Sequence, residues 1–211
     1  MTDRLRSSSR RSIVAIAAAV CVLASATVAL GGSGWHNGTF EAGNLSEWST
    51  WSAGAGSWFV LHSNVTPLSG SSWYGPAQGD FAAVTDQTDP GTNILYRPLK
   101  VSKKNTRLSF TIYYTNQAGV FCTPSTLDYT GSCNQQYRVD LLKKDAAIDS
   151  MDSADIVKSL WKTTTISPAT LLPTQVTKRL SGLGKVILRV AEVDNQGLFQ
   201  ASIDNVRIDN G

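Results

Sequence analysis

Histidines and carboxylates are the side chains of this sequence that could catalyse a reaction. Few of them occur in the sequence motifs that are typical of enzymes. The chain of 211 residues has two histidines, His36 and His62, and no serine-nucleophile elbow, so a Ser/His/Asp hydrolase has little support. It also has no H-E-x-x-H motif and no Cys/His cluster of the kind that binds catalytic zinc. Glycoside hydrolysis needs only two facing carboxylates, and Glu41, Glu47 and Glu192 keep a small glycan-active hydrolase as an alternative. We predict a protein that is not an enzyme.

Aromatic rings among small polar residues form a second group, suited to binding sugars. An exposed ring stacks on the apolar C–H face of a pyranose, while polar side chains nearby bind its hydroxyls. The candidates for stacking are Trp58, Trp73, Tyr74 and Tyr113. The candidates for polar contacts lie on the polar side of two predicted strands: Arg138, Asp140 and Arg189. We expect these side chains to form one sugar-binding surface; the alternative is a solvated sheet face with cross-strand ion pairs.

The cysteines are typical of an oxidising compartment. Cys21 lies in the apolar N-terminal stretch, which leaves Cys122 and Cys133 as an even pair in a loop-like segment. We predict that this pair forms a structural disulfide, which closes a small loop and contributes about 2–3 kcal/mol. A redox or metal-binding pair would favour the tight C-x-x-C spacing, which these cysteines lack.

The N-terminus resembles an export signal. A basic segment over residues 1–11 precedes an apolar run over 13–30, and Ala24-Ser25-Ala26 supplies the small residues of a cleavage site. We predict a signal peptide over residues 1–34 and a secreted protein with no membrane contact after cleavage. An uncleaved anchor is the alternative, because about 18 apolar residues can just cross a bilayer.

Charge is unevenly distributed along the chain. The formal charge of +3 comes from four arginines and one aspartate within residues 1–34, and the remaining residues carry 15 basic and 15 acidic side chains. A nucleic-acid-binding protein needs a clustered excess of Lys and Arg, so we exclude that role. If the ligand is a polysaccharide, the balanced charge favours a neutral one.

Short apolar runs separated by Gly, Asn, Pro and Ser predict a single β-rich domain over residues 35–211. Leu108, Phe110 and Ile112 alternate with polar residues, which is typical of a strand with one buried face. The predicted strands cover residues 57–62, 80–85, 93–99, 106–114, 136–142, 185–193 and 199–208. One short helix is predicted after Asp152, because Ile156, Val157, Leu160 and Trp161 share a stripe at helical spacing.

Several segments together resemble the galactose-binding-domain-like jelly roll of calcium-containing carbohydrate-binding modules. The landmarks are Asn37-Gly38-Thr39-Phe40-Glu41, Gly43-Asn44-Leu45 with Trp48, Gly79-Asp80-Phe81-Ala82-Ala83, Leu95-Tyr96-Arg97-Pro98-Leu99, Leu108-Ser109-Phe110, Leu188-Arg189-Val190-Ala191-Glu192 and Ile203-Asp204-Asn205-Val206-Arg207-Ile208. Residues 136–140 and 191–197 resemble a subgroup of secreted bacterial proteins. The resemblance implies an antiparallel sandwich and a binding role without catalysis.

The same resemblance implies a structural calcium ion that joins the first strand to the last. The glutamate of the opening motif and the aspartate of the closing motif correspond to Glu41 and Asp204, with carbonyls near Thr39 and at Asp80 as further ligands. Calcium prefers such oxygen ligands. The alternative is that Glu41 is a surface residue and Asp204 a turn former.

These observations combine into one prediction. The fold class is all-β, an antiparallel β-sandwich jelly roll with one short helix. The function is that of a secreted, non-catalytic binding domain for a polysaccharide or glycan. The main alternative is an extracellular structural or protein-interaction sandwich without a sugar site.

Overall fold

Ten antiparallel strands form two five-stranded sheets that pack face to face. The computed structural model describes residues 36–101 and 106–210, so the predicted signal peptide over residues 1–34 lies outside the described residues. The strands are β1 (Ser49–Gly54), β2 (Ser57–Leu61), β3 (Ala82–Asp86), β4 (Gly91–Val101), β5 (Thr106–Asn116), β6 (Gln136–Lys143), β7 (Ile156–Lys162), β8 (Thr170–Leu180), β9 (Gly184–Asp194) and β10 (Phe199–Asn210). No helix long and apolar enough to cross a bilayer occurs in these described ranges.

The chain crosses repeatedly between the two sheets. The first sheet has the order β1-β4-β9-β6-β7 and the second β2-β3-β10-β5-β8. The predicted all-β class and sandwich jelly roll are therefore confirmed. Each strand turns alternate side chains to opposite faces, so each sheet has an inner face toward its partner sheet and an outer face.

The inner faces form the main apolar core. Leu188 and Val190 of the first sheet pack in one buried cluster with Phe110, Ile112 and Ile203 of the second. A fully buried aliphatic or aromatic side chain contributes about 1.5–3 kcal/mol, so this layer is the chief source of stability.

All the predicted strands are present, but the predicted helix is wrong. Residues 156–162 form strand β7 at the edge of the first sheet, paired with β6. Two register shifts interrupt that pairing, and such bulges break the period-two pattern that identifies a strand. The Asp152 side-chain carboxylate accepts a hydrogen bond from the Ala154 amide. The Asp152 backbone carbonyl accepts hydrogen bonds from the amides of Asp155 and Ile156, so Asp152 stabilises a single turn and not a helix.

The predicted disulfide is confirmed. Cys122 is bonded to Cys133, and the two residues enclose a segment that we call the disulfide loop, residues 122–133. Asn134 and Asn195 hold this loop: the Asn134 side chain donates to the carbonyls of Thr126 and Asp128, and the Asn195 side chain to that of Tyr129.

Two loops cover part of the outer face of the first sheet. Leu127 and Tyr129 come from the disulfide loop, and Ile148 and Met151 from the β6–β7 loop, residues 144–155. Both pairs pack against an apolar cluster that includes Ile94 of β4. Because of the two loops, the surface of this face is uneven, whereas the surface of a sheet without loops over it would be nearly flat.

Arg97 fastens the N-terminal segment to the first sheet. Its guanidinium donates to the His36 carbonyl at 2.7 Å, pairs with Glu47 at 3.0 Å and lies 5.4 Å from the ring centre of Trp48. The amide of Val206 donates to the Gly38 carbonyl, which joins the same segment to β10. The opening and closing motifs are thus neighbours in space.

A polar network is buried at one end of the sandwich. The side-chain amide of Gln87 donates to Glu192 at 2.8 Å and to Asp194 at 3.0 Å, and Asn93 donates to the Gln87 oxygen at 2.9 Å. Burial raises the pKa of Glu192 well above its usual range, and the neighbouring Asp194 raises it further. Glu192 is therefore protonated in the folded protein at pH values where the unfolded chain has lost that proton.

This difference predicts a pH-dependent effect of Glu192→Gln. As pH rises above about 4.3, the unfolded chain releases a proton that the folded chain retains, so the free energy of unfolding of the wild type falls. A glutamine has nearly the same shape as the protonated carboxyl and does not titrate, so it lacks that pH-dependent penalty, although its NH2 group would replace an oxygen that accepts from Gln87 or Asn93. In urea unfolding, the free energy of unfolding of the variant minus that of the wild type should therefore increase between pH 4.5 and pH 8.

Asp145→Asn, in the exposed β6–β7 loop, controls for the loss of one negative charge. If the difference in free energy of unfolding between Glu192→Gln and wild type is constant across this pH range, Glu192 is ionised in the folded protein and the prediction is wrong.

Candidate functional site

The aromatic residues predicted to stack on sugars are mostly buried. Trp58 is 3% exposed, Trp73 6% and Tyr113 1%, whereas Tyr74 is 57% exposed. Trp58 belongs to the core between the sheets, while the Trp73 ring stacks on Tyr113 on the outer face of the second sheet, with 6.0 Å between ring centres. The expected exposure is wrong for three of the four rings, because packing partners distant in sequence cover them.

The predicted polar residues are buried too, on the outer face of the first sheet. Arg138 donates twice to Asp140, at 2.6 and 3.0 Å, and Arg189 donates to the same carboxylate at 2.8 Å. Arg189 also donates to the carbonyls of Ile148 and Ser150. Burial lowers the pKa of Arg189, and the Asp140 carboxylate opposes that shift. These residues anchor the β6–β7 loop and do not face solvent.

The expectation of one surface is therefore wrong. Trp58 lies between the sheets, Tyr113 on the outer face of the second sheet and Arg189 on the outer face of the first. The thickness of the sandwich separates these positions.

Another set of rings lies on the outer face of the first sheet. Trp51 of β1 and Tyr96 of β4 are half-buried, and both pack against the cluster around Ile94. Trp51 lies opposite Ile94 in the register and Ser49 opposite Tyr96, which makes the two rings diagonal neighbours. The ring of Tyr129, from the disulfide loop, lies against Gly54, where a Cβ atom would be 2.7 Å from it.

A groove adjoins Tyr96 on the same face. It has a volume of about 370 Å³, within the range of small-molecule sites, and Pro98 and Ile187 contribute apolar lining. Its other main lining residues are Lys100, Lys144 and Lys185. Hence the outer face of the first sheet combines rings, apolar surface and hydrogen-bond donors.

One of the two rings on this face, Tyr96, could be placed there from the sequence pattern. The predicted strand over residues 93–99 alternates, so Tyr96 falls on the face opposite Leu95 and Leu99. Trp51 had no such signal, because its strand consists mainly of Ser, Thr, Ala and Gly.

The residues predicted to bind calcium surround a second cavity. Thr39, Glu41 and Asp204 line a space of about 230 Å³, together with Asn205. The amide of Gln78 donates to Asp204 at 2.9 Å, and the Asp80 amide donates to Glu41 at 3.1 Å. Asp80 is not among the lining residues of this cavity but lines an adjoining pocket with His62 and Phe81.

The lining of this cavity is acidic on balance, because Glu41 and Asp204 outnumber its one cationic residue, Arg207. The pKa of Asp204 is raised to about 6, chiefly by burial and in smaller part by the negative charge of Glu41. The side-chain oxygen of Asn205 is buried and accepts no hydrogen bond from the described residues. Two carboxylates and an unpaired amide oxygen fit the ligand preference of calcium. Across residues 36–101 and 106–210, no group of three or more His, Cys, Asp or Glu side chains could hold a metal ion, so other ligands would be backbone or amide oxygens.

The carboxylates considered for glycoside hydrolysis have other contacts. Glu47 is paired with Arg97, Glu41 accepts from backbone amides, and Glu192 is buried in the polar network.

Comparison with known proteins shows similarity in structure and not in sequence. No known protein-family profile and no curated protein matches the chain. The carbohydrate-binding module TmCBM61, solved in complex with β-1,4-galactotriose, covers 84% of this chain and 97% of its own, with 13% identity and a TM-score of 0.51. The K3 adhesin domain of Lys-gingipain from Porphyromonas gingivalis covers 82% and 97%, with 16% identity and a TM-score of 0.51. The fold is shared with both.

Proposed function

We propose that the protein is a secreted, non-catalytic carbohydrate-binding domain that binds glycans on the outer face of the first sheet. The observation that supports this proposal is the combination of half-buried Trp51 and Tyr96 with the adjoining groove. The fold shared with a module solved with galactotriose adds support.

The proposed contact follows from the chemistry of sugars. A pyranose presents an apolar C–H face and a rim of hydroxyls, which match an aromatic ring bordered by polar donors. A shallow binding face immobilises little of the ligand and excludes little water. We therefore expect modest affinity, with Kd of about 10⁻⁵ to 10⁻³ M.

The test is retention of the protein in affinity gels containing soluble polysaccharides, beginning with β-1,4-galactan and extending to other neutral and acidic glycans. Trp51→Ala and Tyr96→Ala should each weaken retention about tenfold, because each removes a stacking surface worth roughly 1.4 kcal/mol. Tyr74→Ala is the matched control, because that exposed ring lies in the β2–β3 loop and contacts Tyr113 on the outer face of the second sheet. Thermal unfolding of each variant separates loss of binding from loss of fold.

Two results would contradict the proposal. If no polysaccharide retains the wild-type protein, the sandwich has another role, such as protein interaction. If Tyr74→Ala abolishes retention and Trp51→Ala does not, the binding face is on the second sheet.

We also propose that calcium binds between Glu41 and Asp204 as a structural ion. Such an ion would join the N-terminal segment to β10 and would offset the repulsion between the two carboxylates. When bound, it would supply charge neutralisation and rigidity and would take no part in a reaction.

Calcium removal tests this site. A ligand that binds only the folded state raises stability by mass action, so millimolar calcium should raise Tm by several degrees relative to a chelator. Glu41→Ala and Asp204→Ala should abolish the difference, and Asp145→Ala, in the exposed β6–β7 loop, should retain it. Identical wild-type melting curves in both buffers would reject the site.

A further inference from the structure

Three lysines converge on the groove beside Tyr96. Lys100 of β4 and Lys185 of β9 are directly opposite each other in the antiparallel register, and Lys144 reaches the groove from the β6–β7 loop. All three are exposed. Three lysines thus line the same groove as the apolar residues Pro98 and Ile187.

This arrangement is unfavourable in the absence of a ligand. Like charges directly opposite on neighbouring strands destabilise a sheet. Among the described residues that line the groove there is no Asp or Glu, and the acidic neighbour Asp145 is paired with Lys144. Lys100 and Lys185 form no salt bridge with any described residue. Within residues 36–101 and 106–210, this pair is therefore a positive site without a paired carboxylate.

Charged side chains close to the groove affect a bound ligand more than the net charge of the domain does. The domain has equal numbers of basic and acidic residues, which by itself favours a neutral ligand. Charges further away than about 8 Å are largely screened at physiological ionic strength, so a group bound in the groove is affected more by Lys100, Lys185 and the Lys144–Asp145 pair than by the net charge of the domain.

We propose that this groove binds a negatively charged sugar residue, one that carries a carboxylate or a sulfate ester. The inference rests on the proposed function and specifies the ligand class of the same face. The C–H face of the sugar lies on the Tyr96 ring and the apolar floor of Pro98 and Ile187, while Lys100 and Lys185 contact the anionic group. Charge-assisted hydrogen bonds of this kind are stronger than neutral ones. The apolar floor favours a sugar over a nucleic-acid backbone.

The experiment measures binding of acidic polysaccharides and their matched neutral forms. Polygalacturonate, alginate and hyaluronan are each compared with a carboxyl-reduced form, and dextran sulfate is compared with dextran. These pairs distinguish a carboxylate from a sulfate. We expect the charged member of at least one pair to bind about tenfold more tightly at low salt and to lose that preference as NaCl is raised.

The double variant Lys100→Gln/Lys185→Gln should remove the preference for the charged form, because its affinity for the charged form should fall about tenfold more than its affinity for the neutral form. Lys158→Gln is the matched control, because this exposed lysine lies on the edge strand β7 and does not line the groove. A single-stranded oligonucleotide serves as a polyanion without a pyranose.

The outcomes separate the two proposals. Equal binding of charged and neutral forms overturns the inference and leaves glycan binding intact. The same holds if the double variant binds charged forms like wild type. Retention of the oligonucleotide as strong as that of the acidic glycans would show general polyanion binding and would also overturn the inference. If no polysaccharide binds at all, both proposals fail.

Discussion

Alternation of side chains along ten antiparallel strands divides this protein into an interior and two outer faces, and every candidate site depends on that division. Leu188 and Phe110 occupy the interior, while Tyr96 and Tyr113 lie on opposite outer faces. A residue cannot change layer without moving its strand by one position, which would expose an entire apolar row. Side chains at the centres of the two outer faces therefore do not share one binding surface.

A buried network of charged side chains holds the β6–β7 loop on the outer face of the first sheet. Asp140 accepts hydrogen bonds from both Arg138 and Arg189, and Arg189 in turn holds the β6–β7 loop through its carbonyls. Removing one partner of such a buried set leaves an uncompensated charge, which commonly costs about 3–5 kcal/mol. These residues are buried and support the face beside Tyr96.

The fold could be predicted from sequence better than the site. The alternation at Leu108, Phe110 and Ile112 was sufficient for a buried strand, and the cysteine pair was sufficient for a disulfide. Strand β8 was missed because it contains Pro173, which an edge strand tolerates at a register shift. Burial of the rings could not be predicted, because Trp73 lies in a loop and its cover comes from Tyr113, 40 residues further along the chain. The apparent helix from Ile156 shows how bulges conceal a strand.

Mapping of a bound oligosaccharide by backbone amide chemical shifts in isotope-labelled protein tests the central claim most directly. The probe is an oligosaccharide derived from whichever polysaccharide retains the protein best. If the outer face of the first sheet is the binding site, the shifts should cluster on β4 and β9, from Tyr96 to Lys100 and from Lys185 to Arg189, and extend to Trp51. Shifts that cluster around Tyr74, or around the cavity between Glu41 and Asp204, would contradict the account.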